Sequence, residues 1–276
     1  MQQVLKTMLE NVRAKTPLVH NITNYVTVND VANVLLAAGG SPIMSDDADD
    51  VEDITSICGG LNINIGTLNK NTIPSMFLAG KKANELGHIV LLDPVGAGAS
   101  RLRTDTANRL MREVRFDAVR GNISEIKTLC TGSGSTKGVD ADAVDAVTEA
   151  NLDDGVQLVK TFAQRAGCIV AVTGAIDLVS DGERCWCIRN GRAEMSRITG
   201  TGCQLSALMT AFLVANPDHK LAAAAAAVCM MGLAGEIGWA NMQPGDGNST
   251  YRNRIIDAIF NMTGDALEEG AKYELR

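Results

Sequence analysis

Aromatic residues are scarce: Phe, Trp and Tyr make up only 4% of a chain that is 46% hydrophobic. An aromatic-rich sandwich core is thereby disfavoured, and a sheet of small residues covered by helices is favoured. Dense Lys/Arg blocks are missing and the formal net charge is -7, which argues against nucleic acid or an anionic membrane as the main partner. Any anion binding falls to local basic residues. The three histidines, His20, His88 and His219, are too dispersed for a His-based metal site, and no Cys/His set has zinc-finger spacing. The 7 cysteines, an odd number spread through apolar segments, do not form a disulfide framework, so reduced thiols in a cytoplasmic protein are expected. The first ten residues carry charges too early for the apolar core of a signal peptide.

What the chain does contain is strand-helix alternation. Its 276 residues suffice for one large α/β domain, expected to span 1–276 without a long linker or internal repeat. A helix over 3–14 precedes a strand at Pro17 to Asn24. Asn24 or Thr23 can cap a helix that runs to Ala38 and ends at Gly39-Gly40. Ser41 to Ser45 forms a loop, and the acidic stretch Asp46 to Asp53 a solvated helix start. Strands are expected at 61–66, 88–92, 117–120 and 168–172, with helices over 73–86, 104–115, from Ser124, and over 151–166. This order predicts βαβ units and a largely parallel sheet with helices on both sides. Ile176 to Ala193 then contains two short strands around an Asp-Gly turn, an antiparallel hairpin at one edge. Helices over 203–215, 218–241 and 250–262 complete the fold, and the Gly/Ser/Thr-rich stretch 131–138 is a mobile loop. Thr199 to Pro217 and Leu221 to Gly235 are long runs without charge, but their polar and alanine content suits buried helices better than a membrane hairpin.

The densest chemical signal is Arg197-Ile198-Thr199-Gly200-Thr201-Gly202-Cys203, a glycine turn opening a long apolar helix. Small residues at 200 and 202 let backbone N–H groups approach a ligand, and the helix adds its positive end to the same spot, so the stretch is an anion cradle. Cys203 falls in the first helical turn, where the dipole favours a thiolate. In an open parallel sheet, ligands bind beyond the carboxyl ends of the strands. The residues there are Asn21 to Asn24, Met44, Asp93 to Gly98, Arg120 to Asn122, Thr173-Gly174 and the glycine turn. A carboxylate in a glycine loop, an arginine and a helix N-terminus together would suit phosphate and a divalent cation. Asn122 to Glu125 also has the form of a helix cap with a capping-box glutamate.

Several of these segments resemble a known family. The series His20-Asn21-Ile22-Thr23-Asn24, Ser41 to Met44, Asn64 to Leu68, Asp93 to Gly98, Arg120-Gly121-Asn122 and Gly200 to Cys203 is similar in content and order to the hydroxyethylthiazole kinases of the ribokinase-like superfamily. Most members of that superfamily have aspartate after the glycine turn, whereas this chain has Cys203, as the thiazole kinases do. The resemblance implies a ribokinase-like α/β fold and ATP-dependent phosphorylation of the hydroxyl of 4-methyl-5-(2-hydroxyethyl)thiazole, a salvage step toward thiamine. It further implies a homotrimer with active sites between subunits. Arg120, Thr173 and Asn24 would bind ATP, Met44 and Gly200 would contact the thiazole, and Asp93 and Glu125 would organise Mg²⁺. Cys203 would position the alcohol first and act as a base second.

Competing readings remain at this point. A dinucleotide-dependent oxidoreductase is disfavoured because Gly96-Ala97-Gly98 lacks the third glycine and acidic partner of that fingerprint. A cysteine hydrolase would need a histidine base that no motif provides. A kinase of another small alcohol, or a non-catalytic nucleotide-binding protein, fits the same residues.

Overall fold

Short apolar runs such as Ile89-Val90-Leu91-Leu92 lack alternation because they are buried on both faces, the condition of a strand inside a helix-covered parallel sheet. The computed structural model describes residues 3–131 and 146–276. Beyond Thr131, the glycine-rich stretch expected as a loop lies outside the described residues.

Six strands run parallel: β1 (Leu18–Ile22), β2 (Ser41–Met44), β3 (Gly60–Asn64), β4 (Ile89–Asp93), β5 (Ala118–Asn122) and β6 (Ile169–Thr173). Three antiparallel strands extend the sheet: β7 (Asp177–Ser180), β8 (Cys185–Ile188) and β9 (Tyr273–Leu275). The spatial order is β2-β1-β3-β4-β5-β6-β7-β8-β9. The chain moves from β1 outward to β2, then returns to the other side of β1 with β3. That reversal is a topological switch point, and it opens a crevice beyond the ends of β1 and β3.

Helices cover both faces. α1 (Val4–Lys15), α2 (Val28–Ala38), α8 (Thr201–Ala215), α9 (Lys220–Ala240), α10 (Asn248–Asn261) and α11 (Gly264–Gly270) pack on one face. α3 (Val51–Ile57), α4 (Thr72–Leu86), α5 (Arg101–Glu113), α6 (Ile123–Thr131) and α7 (Leu152–Ala166) occupy the other. The charge-free runs are α8 and α9. The segment Pro217–Ala240 is long and apolar enough to cross a membrane, yet 83% of its apolar window is buried within the fold. Its alanines at 223 to 227 are fully buried, so it is a core helix held close to its neighbours by small side chains.

Three local expectations change. Ser41 to Met44 is edge strand β2 instead of a loop: its ladder with β1 supplies the hydrogen bonds, and Pro42 is tolerated because β2 has a partner on one side only. Asn24 does not cap α2 directly; its Oδ1 accepts from Thr27 N (3.1 Å), closing a turn before the helix begins at Val28. The β7–β8 hairpin forms as expected but is not the sheet edge, because β9 pairs along β8.

Candidate active site

The N-cap of α8 is Gly200, whose φ of 84° is left-handed. A Cβ there would lie 2.1 Å from Thr27 Cγ2, so glycine is needed both for the backbone angle and for the closeness of α2. Gly202 is constrained differently: an added Cβ would sit 2.4 Å from Arg120 Nη2 and 2.5 Å from Nη1. The arginine therefore lies against the backbone of the glycine turn. Gly200 to Gly202 are half-buried, while Cys203 is buried. The first N–H groups of α8 have no partner within the helix, which makes the turn a donor surface backed by the helix dipole.

From Cys203 a chain of polar contacts crosses the strand ends. Asn24 Nδ2 donates to Cys203 Sγ (3.2 Å) and to Asn64 Oδ1 (3.1 Å). Asn64 Nδ2 donates to Asp93 Oδ2 (2.7 Å), which also accepts from Ser206 Oγ (2.8 Å). Arg120 Nη1 lies 3.5 Å from the same carboxylate oxygen, and Arg120 Nη2 donates to Thr173 Oγ1 (2.6 Å). The ends of β1, β3, β4, β5 and β6 are thus joined by one network. Met44 and Val95 pack against the buried group of Val19, Val31, Leu35, Cys203 and Ala207.

Glu125 closes the other flank. Its Oε2 accepts from Asn122 N (2.8 Å) while Glu125 N donates to Asn122 Oδ1 (2.8 Å), the reciprocal capping arrangement expected from the sequence. Its Oε1 accepts from Gly96 N (2.8 Å), fixing the loop after β4.

Burial dominates the electrostatics. It pushes Glu125 up to about 7, with nearby Asp93 adding to the rise against the two backbone donors and Arg120. Asp93, fully buried, is also raised by burial, although Arg120, Ser206 and Asn64 oppose the shift. Cys203 is raised by burial and then by Asp93, against Arg120 and the asparagine contacts, a shift opposite to the thiolate that a helix N-terminus favours. Among the described residues, Asp93 Oδ1 and Arg120 Nε are buried without a hydrogen-bond partner.

The structure thus brings together Met44, Gly200 and Cys203 on one side and Arg120, Thr173, Asp93 and Glu125 on the other. Asn24 belongs with the first group. Its amide nitrogen donates twice, and its oxygen accepts from Thr27 N and Thr27 Oγ1.

Residues 9–265 match the sequence model of the hydroxyethylthiazole kinase family. The chain is 57% identical over 271 residues to hydroxyethylthiazole kinase of Clostridium acetobutylicum, covering 98% of this chain and 99% of that one. The chain belongs to the hydroxyethylthiazole kinase family. Its relatives are phosphotransferases, and so is this enzyme. The solved structure of a hydroxyethylthiazole kinase protein from Pyrococcus horikoshii superposes with a TM-score of 0.88 at 32% identity, over 100% of both chains. A ribokinase-like superfamily protein from Enterococcus faecalis shares 11% identity over 94% of each chain with a TM-score of 0.60, a likeness of fold. The sheet and its helices are therefore ribokinase-like.

Sequence reasoning missed several supports of this family site. Ser206 meets Asp93 only because α8 lies across β4. Arg103, in the first turn of α5, donates to Gly66 O (2.7 Å) and Val95 O (3.3 Å), clasping the loops after β3 and β4. Asn64 had a visible signal: a polar residue recurring in Leu61-Asn62-Ile63-Asn64, on a strand whose burial leaves no solvent for it.

Proposed function

We propose that the protein transfers the γ-phosphoryl group of ATP to the hydroxyl of 4-methyl-5-(2-hydroxyethyl)thiazole, a salvage step toward thiamine, with residues 1–276 acting as one kinase domain. The observation that carries this reading is the packing of Arg120 against Gly202 at the N-terminus of α8, with Cys203 and Met44 beyond the turn. A phosphate arriving there would meet a guanidinium and free backbone donors together. Phosphoryl transfer needs chiefly such positioning and charge stabilisation.

In this mechanism Arg120 and Thr173 hold the nucleotide's phosphates, and the backbone of Gly200 to Cys203 receives charge developing on the transferred group. Met44 and Gly200 flank the thiazole ring, for which a polarizable thioether is a suitable surface. Cys203, held by Asn24, orients the alcohol oxygen. Because the proton can leave late in a loose transition state, a neutral thiol suffices for this task. Asn24 serves as a positioning residue for Cys203 in place of a nucleotide contact.

Asp93 and Glu125 fit a magnesium ion by donor chemistry. Asp93 Oδ1 is a buried oxygen without a partner among the described residues, and Glu125 retains lone pairs beyond its two backbone contacts. Magnesium takes one or two protein carboxylates with waters and phosphates, and bound there it would neutralise phosphate charge.

The reading includes a homotrimer with sites between subunits, acting in the cytoplasm. Tyr25 and Val26, beside the acceptor side, are 77% and 57% exposed, which supports a neighbouring chain covering them. Seven free thiols support a reducing compartment. Incubation with ATP, Mg²⁺ and the thiazole alcohol should yield ADP and the thiazole monophosphate in equal amounts. ADP release without phosphorylated alcohol would overturn the assignment. Dilution below the assembly constant should abolish turnover while secondary structure persists, and a fully active monomer in sedimentation would contradict the shared site.

A further inference from the structure

Met44 occupies a mechanically weak place. It is the last residue of β2, the outer strand, which among the described residues is bonded only to β1. The following residues, Asp46 to Asp50, are exposed. A side chain offered to a substrate from such a position needs an anchor immediately downstream.

His20 is that anchor. It is fully buried on β1, opposite Ile43 in the register, and its ring reaches past the end of β2. Nε2 lies 2.9 Å from the carbonyl oxygen of Ser45, and Nδ1 lies 2.9 Å from Thr55 Oγ1 on α3. A carbonyl can only accept, so Nε2 carries the hydrogen and Nδ1 accepts from the threonine hydroxyl. Burial lowers the ring's proton affinity, consistent with this neutral tautomer. The Ser45 hydroxyl donates in turn to Asp50 Oδ2, tying the residue to the start of α3. An apolar residue would fill a core position without polar groups to satisfy. This imidazole instead uses both nitrogens, one of them on the residue after Met44.

We propose that His20 is a positioning residue for acceptor recognition: by tying the Ser45 carbonyl to Thr55 of α3, it fixes where Met44 meets the alcohol substrate. This rests on Met44 contacting the thiazole, as proposed above. His20 takes no part in the proton or phosphoryl transfer itself.

The two ring nitrogens can be tested separately. In His20→Gln the amide nitrogen can reproduce the Nε2 donor to Ser45. In His20→Asn the shorter side chain can replace only the Nδ1 acceptor for Thr55. Steady-state KM for the alcohol and for ATP, and hydrogen exchange of the Met44 to Asp46 amides without substrate, would be measured for both variants and the wild type. The expected result is an alcohol KM raised about tenfold in His20→Asn, the effect of losing one hydrogen bond, with ATP KM changed less than about twofold. Exchange at Met44 to Asp46 should rise in the same variant, and His20→Gln should restore both values toward wild type. Equal alcohol KM in the Asn and Gln variants, or a parallel rise in both substrates' KM, would overturn the proposal. Unchanged exchange in His20→Asn would do the same. If the wild type does not phosphorylate the alcohol, the functional reading fails, and unaltered or altered exchange still decides whether His20 fixes the segment.

Discussion

Replacing Gly202 with alanine separates activity from stability because the two respond to different neighbours. The new Cβ would stand 2.4 Å from Arg120 Nη2, 2.5 Å from Nη1 and 2.8 Å from Cζ. Carbon contacts settle at roughly 3.5 Å or more, so the guanidinium must retreat by about 1 Å. If Arg120 holds phosphate as proposed, a displacement of that size should lower the rate by about a hundredfold. Stability has opposing contributions: alanine inside a helix is favoured over glycine by about 0.5–1 kcal/mol, while the Arg120–Asp93 contact is stretched. Because the two contributions have opposite signs, the net change should stay within about 1 kcal/mol. Gly200→Ala is the contrasting case, because a left-handed φ of 84° and a clash with Thr27 both act against folding. Steady-state kinetics with varied ATP, paired with urea unfolding, would measure both quantities. A Gly202→Ala enzyme with wild-type kcat/KM for ATP would refute the role given to the contact between Arg120 and the glycine turn.

Arg120→Ala should lower kcat/KM for ATP by roughly ten- to hundredfold, the value of a charged hydrogen bond of about 1.5–3 kcal/mol. It should also lower the unfolding midpoint, since buried Asp93 loses its cation; adding Asp93→Asn should recover stability without activity, and recovery of activity would contradict the assignment. Cys203→Ala should retain measurable turnover with no phosphorylated cysteine in the wild type by mass spectrometry, whereas a dead variant with a trapped adduct would establish a covalent route. Glu125 is raised from 4.5 to about 7, so its contribution to stability is full below about pH 4.5 and is lost as pH rises through about 7. Glu125→Gln should therefore flatten the fall in stability between pH 5 and pH 8 in denaturant titrations, and an unchanged slope would remove Glu125 as its source.

Features carried by contiguous residues were legible in the sequence. Apolar runs of strand length, the helix-opening turn at Gly200 and the capping pair Asn122 and Glu125 depend on neighbours within a few positions, and each forms as expected. What depends on chain crossing was not legible. Four residues containing Ser and Pro carry too little pattern to announce β2, which exists because β1 offers it a ladder. The same holds for β9, three residues that gain their strand geometry from β8, and for α11, which lies before it. Within the site, Ser206 and Asp93 are 113 positions apart, and Asn24 and Cys203 are 179 apart. The helix N-terminus at Cys203 was visible, but its environment was not: burial and nearby Asp93 push the thiol up, against Arg120 and the asparagine contacts.

The thiol at position 203 is intelligible from the charges already present. Asp93 and Glu125 are buried and both displaced toward protonation, while Arg120 lies against Asp93 and the glycine turn. A carboxylate at 203 would bring another desolvated anion beside Asp93, and it would compete with the incoming phosphate for the α8 donors and for Arg120. To the extent that burial pushed such a carboxyl toward its neutral form, less of it would be ionised to accept a proton. A thiol avoids that competition. Raised by burial and by Asp93, and accepting from Asn24, the thiol would in the proposed mechanism leave the dipole and the guanidinium free for phosphate charge. If the alcohol's proton leaves late, reserving positive potential for the transferring phosphoryl stabilises the transition state more than a stronger base would.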